Sequence, residues 1–161
     1  MSFRIIVKTP DALKPGAPAP GLQSIESGLV EMGQLIEREV KIRTPIGGMR
    51  LTRGSIVAEK RGNPIREVII GAPFPADIVE RGRRPGKPPP IGPILLWVEG
   101  KPDFRGERTK STAYKIRAGI AKHGTKGAFM FERAVRESNP QLQQVAEKMG
   151  ATIVNEAVSG K

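Results

Sequence analysis

The sequence predicts an α+β fold: a small antiparallel β-sheet packed against a long amphipathic helix and several shorter helices. Three observations predict it. Apolar residues recur at spacings of three and four from Leu22 to Val40. Two stretches, residues 49–60 and 67–71, flank the turn Arg61-Gly62-Asn63-Pro64 and read as a β-hairpin. Further helix-period stretches, separated by Gly and Pro, follow residue 93. A chain of 161 residues is most simply one domain with room for one core. Residues 1–161 therefore read as a single α+β domain. Its first 21 residues form a strand and a proline-rich arm, and residues 22–161 form a globular body with a basic loop at 81–93.

Residues 2–8, rich in Ile and Val, suit a short strand. Pro10, Pro15, Pro18 and Pro20 follow. Proline fixes φ and removes a donor, so residues 9–21 read as an extended arm. Leu22, Ile25, Leu29, Met32, Ile36 and Val40 then form one helix face, with Glu26, Glu31, Glu37, Arg38 and Lys41 mostly elsewhere. Thr44-Pro45 ends this helix, because a residue before proline is pushed out of the α region. Within the hairpin, Glu67-Val68-Ile69-Ile70-Gly71 is the stronger strand. Residues 76–81 read as a helical turn, and the basic proline-rich loop follows.

Residues 93–100 start a helix with proline in its first turn. Ile94, Leu95, Trp97 and Val98 would wrap most of that short cylinder, so it should be largely buried. Ser111 is placed to cap a helix to His123, with Gly124 as its C-cap. Residues 127–138 read as another helix, with Phe131, Ala134 and Val135 inward. Asn139-Pro140 reads as the start of a last one, with Leu142, Val145, Met149 and Ile153 on one face.

The charge is uneven. The net charge is +11, and residues 81–133 carry 13 Lys/Arg against 4 Asp/Glu, a net of +9. A basic surface attracts polyanions, either nucleic acid or an acidic protein, and it also serves as a solubilising face. No apolar run approaches the ~20 residues of a membrane span, so no membrane partner is expected. Cysteine is absent, which excludes disulfides, thiolate nucleophiles and thiolate metal sites and fits synthesis in a cytosol.

No constellation for catalysis emerges. Residues 82–87 echo a phosphate-binding loop, but the loop is one residue short and Lys87 is followed by Pro88 instead of a hydroxyl. His123 is the one histidine, and a lone imidazole near a helix end more often serves the last carbonyls than catalyses. Asp11, Asp77 and Asp103 lack metal-ligand spacing. Glu37 and Glu39, two apart on a helix, do not face each other. Trp97, Phe74, Phe129 and Phe131 have base-stacking rings but apolar neighbours, which favours the core. The expectation is a protein that is not an enzyme and takes no cofactor and no metal.

Six motifs occur in an order that resembles a known family. A long amphipathic helix ends in Thr44-Pro45, followed by Gly48, Arg50 and Ser55; a strand ends at Gly71. Pro75-Ala76 and Val79-Glu80-x-Gly82 precede a basic proline-rich loop and an apolar turn ending Trp97-Val98. A helix then leads to Gly124-Thr125-Lys126, Phe131 and Ala134. Over residues 22–135 this is similar to the neck and tail-completion proteins of tailed bacteriophages, the group of minor tail protein Z and the tail terminators. The chain departs from the pattern in a shortened segment after Pro45 and in Arg83-Arg84 after Gly82, where the family has Thr. Residues 1–21 have no counterpart.

The resemblance implies a structural virion protein, assembled in the bacterial host cytoplasm and located in the neck of the tail. It implies a homo-oligomeric ring, commonly a hexamer, that ends growth of the tail tube and joins tail to head. Its partners would be other copies of itself, the tail tube protein, the head-connector protein and the genomic DNA in the channel. Arg81, Arg83, Arg84 and Lys87 of the basic loop would face a partner or that DNA. The rival reading is a small basic nucleic-acid-binding protein. Only seven aromatics and the lack of a recognition motif count against it.

Overall fold

The computed structural model describes residues 3–8, 21–45, 51–72, 76–101 and 108–159. Residues 9–20 of the expected arm 9–21, and the motif residues Gly48 and Arg50, lie outside them. Strand β1 (Phe3–Lys8), helix α1 (Leu22–Arg43), the short α2 (Leu51–Gly54), β2 (Val57–Arg61) and β3 (Glu67–Ala72) come first. Then follow α3 (Ala76–Arg81), β4 (Gly82–Arg83), α4 (Ile91–Glu99), α5 (Arg108–His123), β5 (Thr125–Lys126) and α6 (Met130–Ser159). The fold class is α+β.

The main sheet has the order β1-β3-β2, antiparallel throughout. In register, Ile5 lies opposite Ile70 and Ala58 lies opposite Ile70 from the other side. The sequence explains which strand is central. Val68, Ile69 and Ile70 are all buried, whereas β2 ends in the exposed charges Glu59, Lys60 and Arg61. Charged side chains on an edge strand discourage pairing with another chain.

Helix α1 lies on this sheet and against α6. Four residues of its predicted stripe are buried: Ile25, Leu29, Ile36 and Val40 lie with Ile56, Val68, Ile70, Met130, Phe131 and Ala134 in one cluster, while Met32 is half-buried and Leu22, in the first turn, is exposed. The helix passes so close to the sheet that a Cβ on Gly33 would sit 2.4 Å from Val68 Cγ1. Thr44 closes α1. It is buried, and its hydroxyl donates back to the Val40 carbonyl at 2.7 Å. Arg53, on α2, donates to the carbonyls of Ile42 and Thr44 at 3.0 and 3.1 Å, which satisfies acceptors at the helix end. Arg43 bonds both Glu39, one turn back on α1, and Glu137 on α6.

Four expectations need correction. Residues 51–54 are helical, so the first hairpin strand begins at Val57 rather than Met49. Helix α5 begins at Arg108, which places Ser111 inside the helix and exposed, where it caps nothing. The two C-terminal helices are one: α6 runs unbroken through Pro140. An internal proline costs roughly 3 kcal/mol, but packing on α1 holds the helix on both sides of it. Finally, α4 is not largely buried. Val98 is its one buried residue, Trp97 is half-buried, and Leu96 is 63% exposed.

Candidate interaction site: a stalk, a helical hairpin and a basic loop

Several motif residues far apart in the chain meet at the start of α6. Phe129 is its N-cap position, since Arg133 N donates to the Phe129 carbonyl at 2.9 Å. A phenylalanine offers no side-chain oxygen for the free amides of the first turn. Glu80, at 2% exposure, supplies it from α3. Its carboxylate accepts from Phe131 N at 2.9 Å and Glu132 N at 3.1 Å. A carboxylate there satisfies two orphan donors and faces the positive end of the helix dipole. The Glu80 backbone carbonyl accepts from Phe129 N at 3.0 Å, and the Val79 carbonyl from Ala128 N at 2.8 Å. These bonds hold Phe129 at φ 49°, a conformation a bulky residue seldom adopts.

Directly beyond Glu80, β4 pairs with β5 in antiparallel fashion, with Gly82 opposite Lys126 and Arg83 opposite Thr125. The glycines here are required. Gly82 has φ 76° and a Cβ on it would meet the Thr125 carbonyl at 2.2 Å; Gly124 has φ 71° and would meet the Arg83 carbonyl at 2.1 Å. Thus Glu80, Gly82, Gly124, Thr125 and Phe131 form one structural knot. They stand up to 51 residues apart in the sequence, and nothing in their local spacing announces that they touch.

The knot is a stalk. The described residues from 84 to 124 are joined to the body at both ends through the two paired strands. Helices α4 and α5 pack on each other, and among the described residues neither packs extensively on α1, α6 or the main sheet. The hairpin's buried residues, Val98, Thr109 and Ala113, stand outside the core cluster of the body. Its surface carries Leu96 at 63% and Tyr114 at 56% exposure. Trp97 lies half-buried with the Lys101 ammonium 5.4 Å from its ring centre, within cation–π range.

The basic proline-rich loop is pinned to α5. Gly86 N donates to the Ala121 carbonyl at 2.8 Å, Arg117 Nε to the Pro89 carbonyl at 2.8 Å, and the Arg83 guanidinium to the Lys87 carbonyl at 2.5 Å. Arg84 and Lys87 are exposed on it; Arg83 is half-buried, and Arg81 is exposed at the end of α3. The remaining motif residues serve the body: Thr44 and Pro45 close α1, and Gly71 lies in β3 opposite Arg4 and Val57.

An open cleft of about 480 Å³ lies elsewhere, lined by Gln34, Glu37, Arg38, Lys41, Ile42 and Arg53. Its charged groups are engaged in structure: Glu37 accepts from Lys41 and from the Ala58 amide at 3.1 Å, and Arg53 holds the end of α1. Among the described residues there is no cluster of three metal-ligating side chains, and no helix is long and apolar enough to cross a membrane. His123 is exposed at the end of α5. No protein-family model, curated protein or solved structure matches this chain.

Proposed function

We propose that this chain is a structural protein of a tailed-phage neck, a tail-completion or tail-terminator subunit that works as a ring of identical copies. One observation carries the reading. The most apolar helix of the chain, α4, is left outside the body's core on a two-stranded stalk, with Leu96 63% exposed. A monomer gains nothing from that exposure, whereas a neighbouring copy would cover it. In a head-to-tail ring each subunit presents one surface to a different surface of the next, and rotation closes the set. A projecting hairpin provides such a surface without enlarging the core. The order of motifs from Thr44 to Phe131 supports the phage-neck assignment of that ring.

The test is the mass of the native particle. Light scattering and native mass spectrometry of the wild-type chain should give a closed ring, with a hexamer expected. Leu96→Glu should give a folded monomer with an unchanged helical signal. A wild-type chain that stays monomeric at every concentration, or a Leu96→Glu ring as stable as wild type, would refute the proposal.

A further inference from the structure

We infer that the pinned basic loop and the end of α5 together form a docking surface for the phosphate backbone of duplex DNA. The inference rests on the neck reading only for the setting in which such DNA is met.

The stalk creates this surface. The Gly86–Ala121 bond lays the loop against the last turn of α5, and the β4–β5 pairing sets Gly82 opposite Lys126. Arg84 and Lys87 thereby join Lys122 and Lys126 at one end of the hairpin, and all four are exposed. Among the described residues none of the four has a carboxylate partner, whereas Arg38, Lys41, Arg43, Arg61, Arg133 and Arg136 of the body all do. The sequence keeps acids away from the site: residues 81–98 and 108–131 contain ten Lys/Arg and no Asp or Glu.

The composition around the cations favours DNA over an acidic protein. Protein interfaces rest on buried aromatic or aliphatic anchors. Residues 82–88 and 121–127 consist of Gly, Pro, Arg, Lys, Ala, His and Thr. They offer charge on a fixed backbone with no anchor to bury. Phosphate contacts need only such positioned cations, and they carry no base selectivity. Arg83 is a positioning residue here, since its guanidinium holds the Lys87 carbonyl.

The test measures binding of the full chain to a fluorescent random-sequence duplex as salt is varied, with single-stranded DNA and poly-glutamate as competitors. Four phosphate contacts give a slope of log K on log salt of about −3.6, so affinity falls about 150-fold between 50 and 200 mM salt. Replacing Arg84, Lys87, Lys122 and Lys126 by Ser should flatten the slope by about that amount. Exchanging Arg84 for Lys and the three lysines for Arg should leave it nearly unchanged. A wild-type slope near zero, unaltered binding by the folded Ser variant, or poly-glutamate competing as well as duplex at equal charge would overturn the inference. So would strong preference for one sequence or for single strands. Ring mass is read on the same samples: intact rings that do not bind DNA sink this inference alone, while DNA-binding monomers sink the ring.

Discussion

The body and the α4–α5 hairpin treat apolar residues in opposite ways. In the body, α1 and α6 have near-balanced compositions, yet Ile36, Val40, Ala134 and Phe131 are at most 2% exposed. In the hairpin, α4 is far more apolar but buries Val98 alone. Burial in a folded monomer follows from where an element is anchored as well as from how apolar it is. Helix α1 has a sheet on one side and α6 on another, so one stripe suffices. Among the described residues, helix α4 packs chiefly on α5. The charges divide in the same way. Most described ion pairs lie on α1 and α6, while the hairpin's end carries cations with no carboxylate among the described residues.

The sharpest way to break this contrast is to truncate one aromatic in each region. Phe131 is fully buried where the body meets the stalk. Phe131→Ala should cost ~3–5 kcal/mol in urea unfolding, through lost transfer energy and the cavity left behind. Trp97 is half-buried under Lys101. Trp97→Ala should cost about 1–2 kcal/mol in the monomer. Equal costs would mean that the hairpin belongs to the same core as the body.

A smaller effect should come from the stalk. Glu80→Ala removes the carboxylate that accepts from the Phe131 and Glu132 amides, one of them buried. The expected loss is about 1–3 kcal/mol. Hydrogen exchange locates it: protection should fall first at Phe131, Glu132, Ala128 and Phe129, and the sheet amides should follow only with global unfolding. Exchange that rises equally over the whole chain would show that the knot and the body open as one unit.

Much of the body is legible in the sequence, because its signals are local. The stripe from Ile25 to Val40 marks α1, Thr44-Pro45 marks its end, and the β-branched run at Val68–Ile70 marks the central strand. The failures come where distant contacts decide. Pro140 reads as a helix start, but α1 packs along both halves of α6 and keeps it continuous. Ile94, Leu95 and Trp97 read as core because hydropathy cannot show that α4 packs chiefly on α5, which leaves them only half-buried. The prolines of residues 85–90 hide that Gly86 and Pro89 are tied to α5. Of the candidate site, Arg84 and Lys87 are visible as a basic run. Lys122 and Lys126 join them only through the β4–β5 pairing.

The smallest expected effect belongs to the body alone and is read in its pH dependence. Arg43 hydrogen-bonds Glu39 and Glu137, and that bonding holds both carboxyls below the ordinary carboxylate range. For groups whose native pKa is depressed, the stabilisation is fully present above the unfolded value. It is lost as pH falls through the native value. Arg43 is itself shifted upward, chiefly by its bond to Glu137, so it stays charged throughout. Other carboxylates also titrate in acid, so the informative quantity is a difference. The melting temperature of wild type minus that of Arg43→Gln should be positive at neutral pH and shrink as pH drops through the carboxylate range. The cluster is partly exposed, with Glu137 at 40%, so solvent screens it and the difference should be modest. Added salt should shrink it further. Because the described partners of Arg43 lie on α1 and α6, the variant should leave salt-dependent DNA binding unchanged. A difference that grows in acid would reverse the sign and refute the role given to Arg43.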